Sequence, residues 1–125
     1  TDFAARRLGD EVTRLDRIET ELNEAAPGDV RDTTSPAATG ESVRRLLFDE
    51  VLTAPSRERL TTWMLASKTG DRRLRAGMPK GWRVGDKTGT GLNGAASDVA
   101  VAWSPGGRAP LIIAAYLHGS KAGPT

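Results

Sequence analysis

The chain has 125 residues, 38% of them hydrophobic and 27% charged, with a net charge of +2, which is the size and balance of one globular domain. No stretch is long and apolar enough for a membrane span, and none has the form of a signal peptide. There is no cysteine and His118 is the only histidine, which argues against a disulfide framework, a Cys- or His-based metal site and a Ser-His-Asp triad within the chain.

The predicted elements begin with a helical segment over residues 1–7, with Phe3 and Leu8 on one side and Gly9 as its stop. Residues 9–36 then read as a long loop with one helical turn near residues 21–25. The stretch RIETELNEAAPGDVRDTTSP holds Glu19, Glu21, Glu24, Asp29 and Asp32 together with two prolines and a glycine. A loop of this length in a compact domain is usually functional or disordered. Residues 39–52 predict a helix whose apolar stripe is Val43, Leu46, Leu47 and Val51. A second helix follows Pro55, with Ser56 as its cap and Leu60, Trp63 and Met64 buried. Residues 71–77 predict one further turn.

The period then changes. WRVGDKTGTG, SDVAVAW and APLIIAAYLHG read as strands, with SPGGR turning between the last two. Helices first and an antiparallel sheet last predict an α+β fold. Residues 1–77 form a helical portion, its long loop at about 14–36, and residues 78–125 a sheet portion. The last two strands carry apolar residues on both faces, which suits a sheet covered on both sides. Two good helices are too few for that, so the chain reads as part of something larger.

Charge is unevenly placed. Residues 10–32 are acidic, while Lys68, Arg72, Arg73, Arg75, Lys80, Arg83 and Lys87 make a basic stretch. Without interleaved aromatics this does not point to nucleic acid; a solvated surface and a site for a small anion both remain open. Within DKTGTG, strand alternation puts Thr88 and Thr90 on one face and Lys87 and Gly89 on the other. An ammonium, hydroxyls and bare backbone N–H groups suit a carboxylate and an oxyanion. K-T-G alone also fits an ordinary glycine-rich strand end. Trp63, Trp82 and Trp103 read as core or interface aromatics.

Taken together, Glu19-x-x-Leu22-Asn23 in the loop and K-T-G at residues 87–89 resemble the class A serine β-lactamases, and the resemblance runs over essentially the whole chain. It is to the middle and late part of that fold. The family's S-x-x-K and S-D-N elements and its final helix have no counterpart here. The resemblance implies that Glu19 is the general base for the deacylating water and that Asn23 shares this water. Lys87 then raises the positive potential, Thr88 bonds the substrate carboxylate, and Thr90 supplies an oxyanion-hole N–H beside Gly89 and Gly91. Arg73 matches a supporting arginine that some members place ahead of the Gly81-Trp82 pair; a surface charge is the other reading. Arg17 and Asp32 match an ion pair closing the loop's neck, with Asp16 and Arg31 as satellites, and the Glu19–Thr20 peptide is expected to be cis.

The implied partners are a β-lactam antibiotic and the upstream half of the same enzyme, which carries the serine nucleophile. No metal or cofactor is implied, and the location is secreted or periplasmic. The function expected of the complete enzyme is β-lactam hydrolysis, while the isolated 125-residue chain is expected to be inactive. A transpeptidase fits less well, because a deacylating base defines the hydrolase. An inactive fragment that pairs with a complementary chain is the reading from a different class.

Overall fold

A computed structural model describes residues 2–122. Helix α1 spans Asp2–Leu8 and stops at Gly9, whose φ is +62°. Leu8 is buried, while Phe3 stays exposed. The long loop follows, with a single 3-10 turn at Glu21–Asn23. Helix α2 is Pro36–Phe48 and α3 is Ala54–Leu65. A 3-10 turn at Leu74–Gly77 leads to strands β1 (Arg83–Thr90), β2 (Ala96–Trp103) and β3 (Leu111–Leu117). The strands form one antiparallel sheet in the order β1-β2-β3, in register Lys87↔Val99 and Val101↔Ile112.

Both long helices start earlier than their apolar stripes suggest. Ser35 caps α2, its side chain accepting from the Ala38 N–H at 3.1 Å, and Pro36 takes the first turn, where its missing donor is harmless. The helix ends at Phe48, so Val51 lies beyond it and not on its stripe. The cap position of α3 is Thr53 rather than Ser56, which sits inside the helix. Pro55 explains the shift: its fixed φ suits a first turn and not a residue outside the helix.

Helices α2 and α3 cover one face of the sheet. Leu47, Met64 and Val101 are buried there, with Val43, Leu60, Trp103 and Ile112 packed around them. Gly85 allows the close fit, since a Cβ on it would stand 3.0 Å from the Met64 Cβ. Contrary to the sequence expectation, Trp63 is 65% exposed and Leu60 only half-buried. Trp63 lies with Val43, Leu46 and Leu60 along an open apolar surface. The opposite face of the sheet buries Val84, Ala100 and Ala102 under Leu74, Met78 and Trp82. That cover stops at β2. On β3, Leu111, Tyr116 and Leu117 are exposed, so the expected two-sided burial holds for β2 and not for β3.

Candidate active site

The loop is drawn together at its neck by reciprocal hydrogen bonds. Asp32 Oδ1 accepts from the backbone N–H groups of Asp16 and Arg17 at 2.6 and 2.9 Å, and the Asp32 N–H returns one to Asp16 Oδ2 at 3.0 Å. Arg17 Nε donates to Asp32 Oδ2 at 2.6 Å. The Arg17 side chain gives Asp32 a single hydrogen bond, because Arg17 Nη1 turns to Glu24 at 2.5 Å. One guanidinium thus ties the neck to the loop's far side. Asp16 and Arg31 hold satellite positions, paired with Arg14 and Asp29 respectively. Burial pushes the Asp32 carboxyl up, but hydrogen bonds from Arg17 and from the Arg17 and Asp16 N–H groups outweigh it and hold the carboxyl below its ordinary value. Asp10, unnoticed beyond its charge, anchors the loop's start. It accepts from the Val12 and Thr13 N–H groups and from Ser42 Oγ on α2.

Within the loop, Asn23 Nδ2 donates to Glu19 Oε2 at 2.5 Å. Asn23 ends the 3-10 turn, and its N–H donates to Thr20 O at 3.1 Å, next to Glu19. The Glu19–Thr20 peptide is cis. Asn23 O in turn accepts from the Leu92 N–H at 2.7 Å, which seats the loop on the end of β1. A Cβ at Gly91 would stand 2.8 Å from that same oxygen. Glycine is required there by the approach of the loop backbone.

On β1, Thr88 and Thr90 share a face, as alternation requires, and each is held by a neighbour. Thr88 Oγ1 lies 2.6 Å from Thr69 Oγ1. Arg73 Nη2 donates to Thr90 Oγ1 at 2.8 Å, and Nη1 donates to the carbonyls of Gly89 and Ser97 at 2.8 and 2.6 Å. Arg73 therefore brings a fixed positive charge to the K-T-G edge from a different part of the chain. Lys87 is on the other face, its Nζ donating to Thr88 O at 2.5 Å. Among the described residues it makes no hydrogen bond to Glu19 or Asn23. The loop pair and the strand cluster are thus two groups joined through Asn23 O and Leu92.

Two buried carboxylates lie under the strand edge and escaped the sequence reading. Asp86 is 1% exposed; it is paired with Arg75 and accepts from Ser67 Oγ at 3.2 Å. Asp98 is 3% exposed and accepts from the Leu74 N–H at 3.0 Å. Burial raises the Asp98 pKa, and the negative charge of Asp86 adds to the rise. The one available signal was a charged residue within an otherwise apolar strand, DVAVAW.

A glutamate-asparagine loop is thus seated on the end of a K-T-G strand in an α+β fold. The chain belongs to the beta-lactamase enzyme family, whose sequence pattern matches residues 3–125. It is 56% identical over 113 residues to beta-lactamase FAR-1 of Nocardia farcinica, and 51% identical over 114 residues to the carbapenem-hydrolysing beta-lactamase KPC of Klebsiella oxytoca. Each match takes in 90% of this chain, but only 36% and 39% of those relatives. The ancestral class A beta-lactamase GNCA has 58% identity and a TM-score of 0.90, over 95% of this chain and 45% of its own. The chain thus spans less than half the length of these relatives. No helix among the described residues is long and apolar enough to cross a membrane.

Proposed function

We propose that the chain forms the loop-and-sheet part of an enzyme that hydrolyses the β-lactam ring through a serine acyl-enzyme. The observation that carries this reading is the Asn23 contact: its amide holds the Glu19 carboxylate while its carbonyl is bonded to the end of the K-T-G strand. A carboxylate beside an amide suits a water that must be held and deprotonated. The hydroxyls of Thr88 and Thr90, with the Arg73 guanidinium behind them, suit the substrate's carboxylate. The Thr90 N–H is the proposed oxyanion donor, with Gly89 and Gly91 leaving the edge open, and Lys87 supplies positive potential. The nucleophilic serine belongs to the upstream half of the enzyme, which is the proposed partner. Its action confers antibiotic resistance from a secreted or periplasmic location. The Arg17–Asp32 neck keeps the loop's ends together while the acyl-enzyme turns over.

The second reading is an inactive segment that docks on a complementary chain. The exposure of Trp63, Leu111 and Leu117 favours it for the chain taken alone. Nitrocefin turnover separates the two. The isolated chain is expected to be inactive, because the acyl-enzyme route needs the serine. The chain joined to or mixed with the upstream half of a class A relative is expected to turn nitrocefin over. No turnover in either arrangement, with folding confirmed by circular dichroism, would reject the hydrolase reading.

A further inference from the structure

Three consecutive carbonyls of the loop each receive one hydrogen bond from the end of the sheet. The Leu92 N–H donates to Asn23 O at 2.7 Å and Asn93 Nδ2 donates to Glu24 O at 2.9 Å. His118 Nε2 lies 3.0 Å from Ala25 O. A carbonyl can only accept, so the ring nitrogen carries the proton. The donors come from two places, the turn between β1 and β2 and the residue after β3. These two places are themselves tied: Asn93 O accepts from the Gly119 N–H at 3.2 Å, and Gly94 O from the Ser120 N–H at 3.3 Å. Asn93 therefore faces both ways, its carbonyl on the end of β3 and its amide on the loop. Its φ of +53° aims the amide, a conformation asparagine tolerates better than most residues.

The clamped carbonyls belong to residues 23, 24 and 25, the last residue of the 3-10 turn and the two that follow it, and Asn23 is the residue that holds Glu19. A displacement there moves the Glu19 carboxylate with it. Both side-chain bonds are exposed to solvent. Such bonds add little to global stability. Their effect therefore falls on where the loop sits.

We propose that Asn93 and His118 are positioning residues for deacylation, clamping Glu24 and Ala25 and so holding the Glu19–Asn23 pair over the water. This rests on the hydrolase reading above and adds to it two residues that do not touch the substrate. Asn93→Gly removes the amide and accepts the positive φ. His118→Phe keeps a ring but no donor, and His118→Gln restores an N–H. Two measurements are needed: hydrogen exchange of residues 20–26 in this chain, and single-turnover acylation and deacylation by a penicillin in the full-length protein.

With Asn93→Gly and with His118→Phe, exchange at residues 20–26 is expected to quicken and deacylation to slow, each by about fivefold, while acylation is unchanged. The acyl adduct then accumulates, and His118→Gln returns both readouts close to wild type. Unchanged exchange in His118→Phe, equal loss of acylation and deacylation, or no recovery with His118→Gln would overturn the proposal. A wild-type full-length protein that neither forms an adduct nor consumes the penicillin would overturn the hydrolase reading and the deacylation role together, while exchange would still decide the clamp by itself.

Discussion

Glu19 is an exposed side chain with one firm partner, the Asn23 amide. Its proposed work begins after the acyl-enzyme has formed. In the full-length protein, Glu19→Ala is expected to acylate near the wild-type rate and to deacylate at least about a hundredfold more slowly, the size of effect of a lost general base. Mass spectrometry should find the protein carrying the mass of one penicillin; clearance at the wild-type rate would remove Glu19 from the role. Asp98 calls for a different test. Its folded pKa is raised by burial and by Asp86, so folding favours the neutral acid. That stabilisation is complete below about pH 4, the unfolded value, and is lost as pH rises through the higher folded value. Asp98→Asn should therefore raise the melting temperature by a few degrees at pH 7, and the gain should vanish near pH 4. A lower melting temperature at pH 7 would mean that the carboxylate is held as an anion by a partner.

At the scale of elements, the loop depends on its neck and α3 on β1. The Asp32 carboxyl is held below its ordinary value, so its contribution is full above about pH 4 and is lost as pH falls through the lower folded value. Acid should therefore free the loop before it melts the helices. Arg17→Ala should do the same at neutral pH, since it releases Asp32 and Glu24 together. Hydrogen exchange in residues 17–32 is expected to rise about tenfold while that of α2 stays close to wild type. Equal changes in both segments would show that the pair supports the whole fold. The helices also show which signals are local. The Val43–Leu47 spacing was legible as a helix, but Ser35 and Pro36, which cap and start α2, were read as the end of the loop, so the start was placed at residue 39. The start of α3 was misplaced because Thr53 and Ser56 are both good cap residues, and only the seating of Gly85 against Met64 fixes how the helix lies on the sheet.

For the whole molecule, the notable feature is how much apolar surface stays open. Trp63 stands 65% exposed beside Val43, Leu46 and Leu60, and β3 leaves Leu111 and Leu117 outward. In the proposed assembly the upstream half covers the Trp63 surface. Adding it to the chain should shift the tryptophan emission to the blue, and a Trp63→Phe chain should lose most of that shift. An unaltered spectrum on a productive complex would place the contact elsewhere.

What the sequence determined by itself was periodic or local. The run of small and β-branched residues in DVAVAW marked a strand, the 3-4 spacing of Val43, Leu46 and Leu47 marked a helix, and Glu19, Asn23 and K-T-G stood out through their resemblance to a family's motifs. These signals survive because they depend on neighbours within a few positions. Tertiary structure alone decided the rest. It carried the Arg73 guanidinium to Thr90, sank Asp86 and Asp98 beneath the edge, divided the Arg17 guanidinium among Asp32, Glu24 and Asp29 and laid Asn93 and His118 against the loop. Each of these joins residues that are far apart in the chain or sets how deep a charge lies. No periodicity encodes such distances; they follow from how the helices, the sheet and the loop fill space against one another.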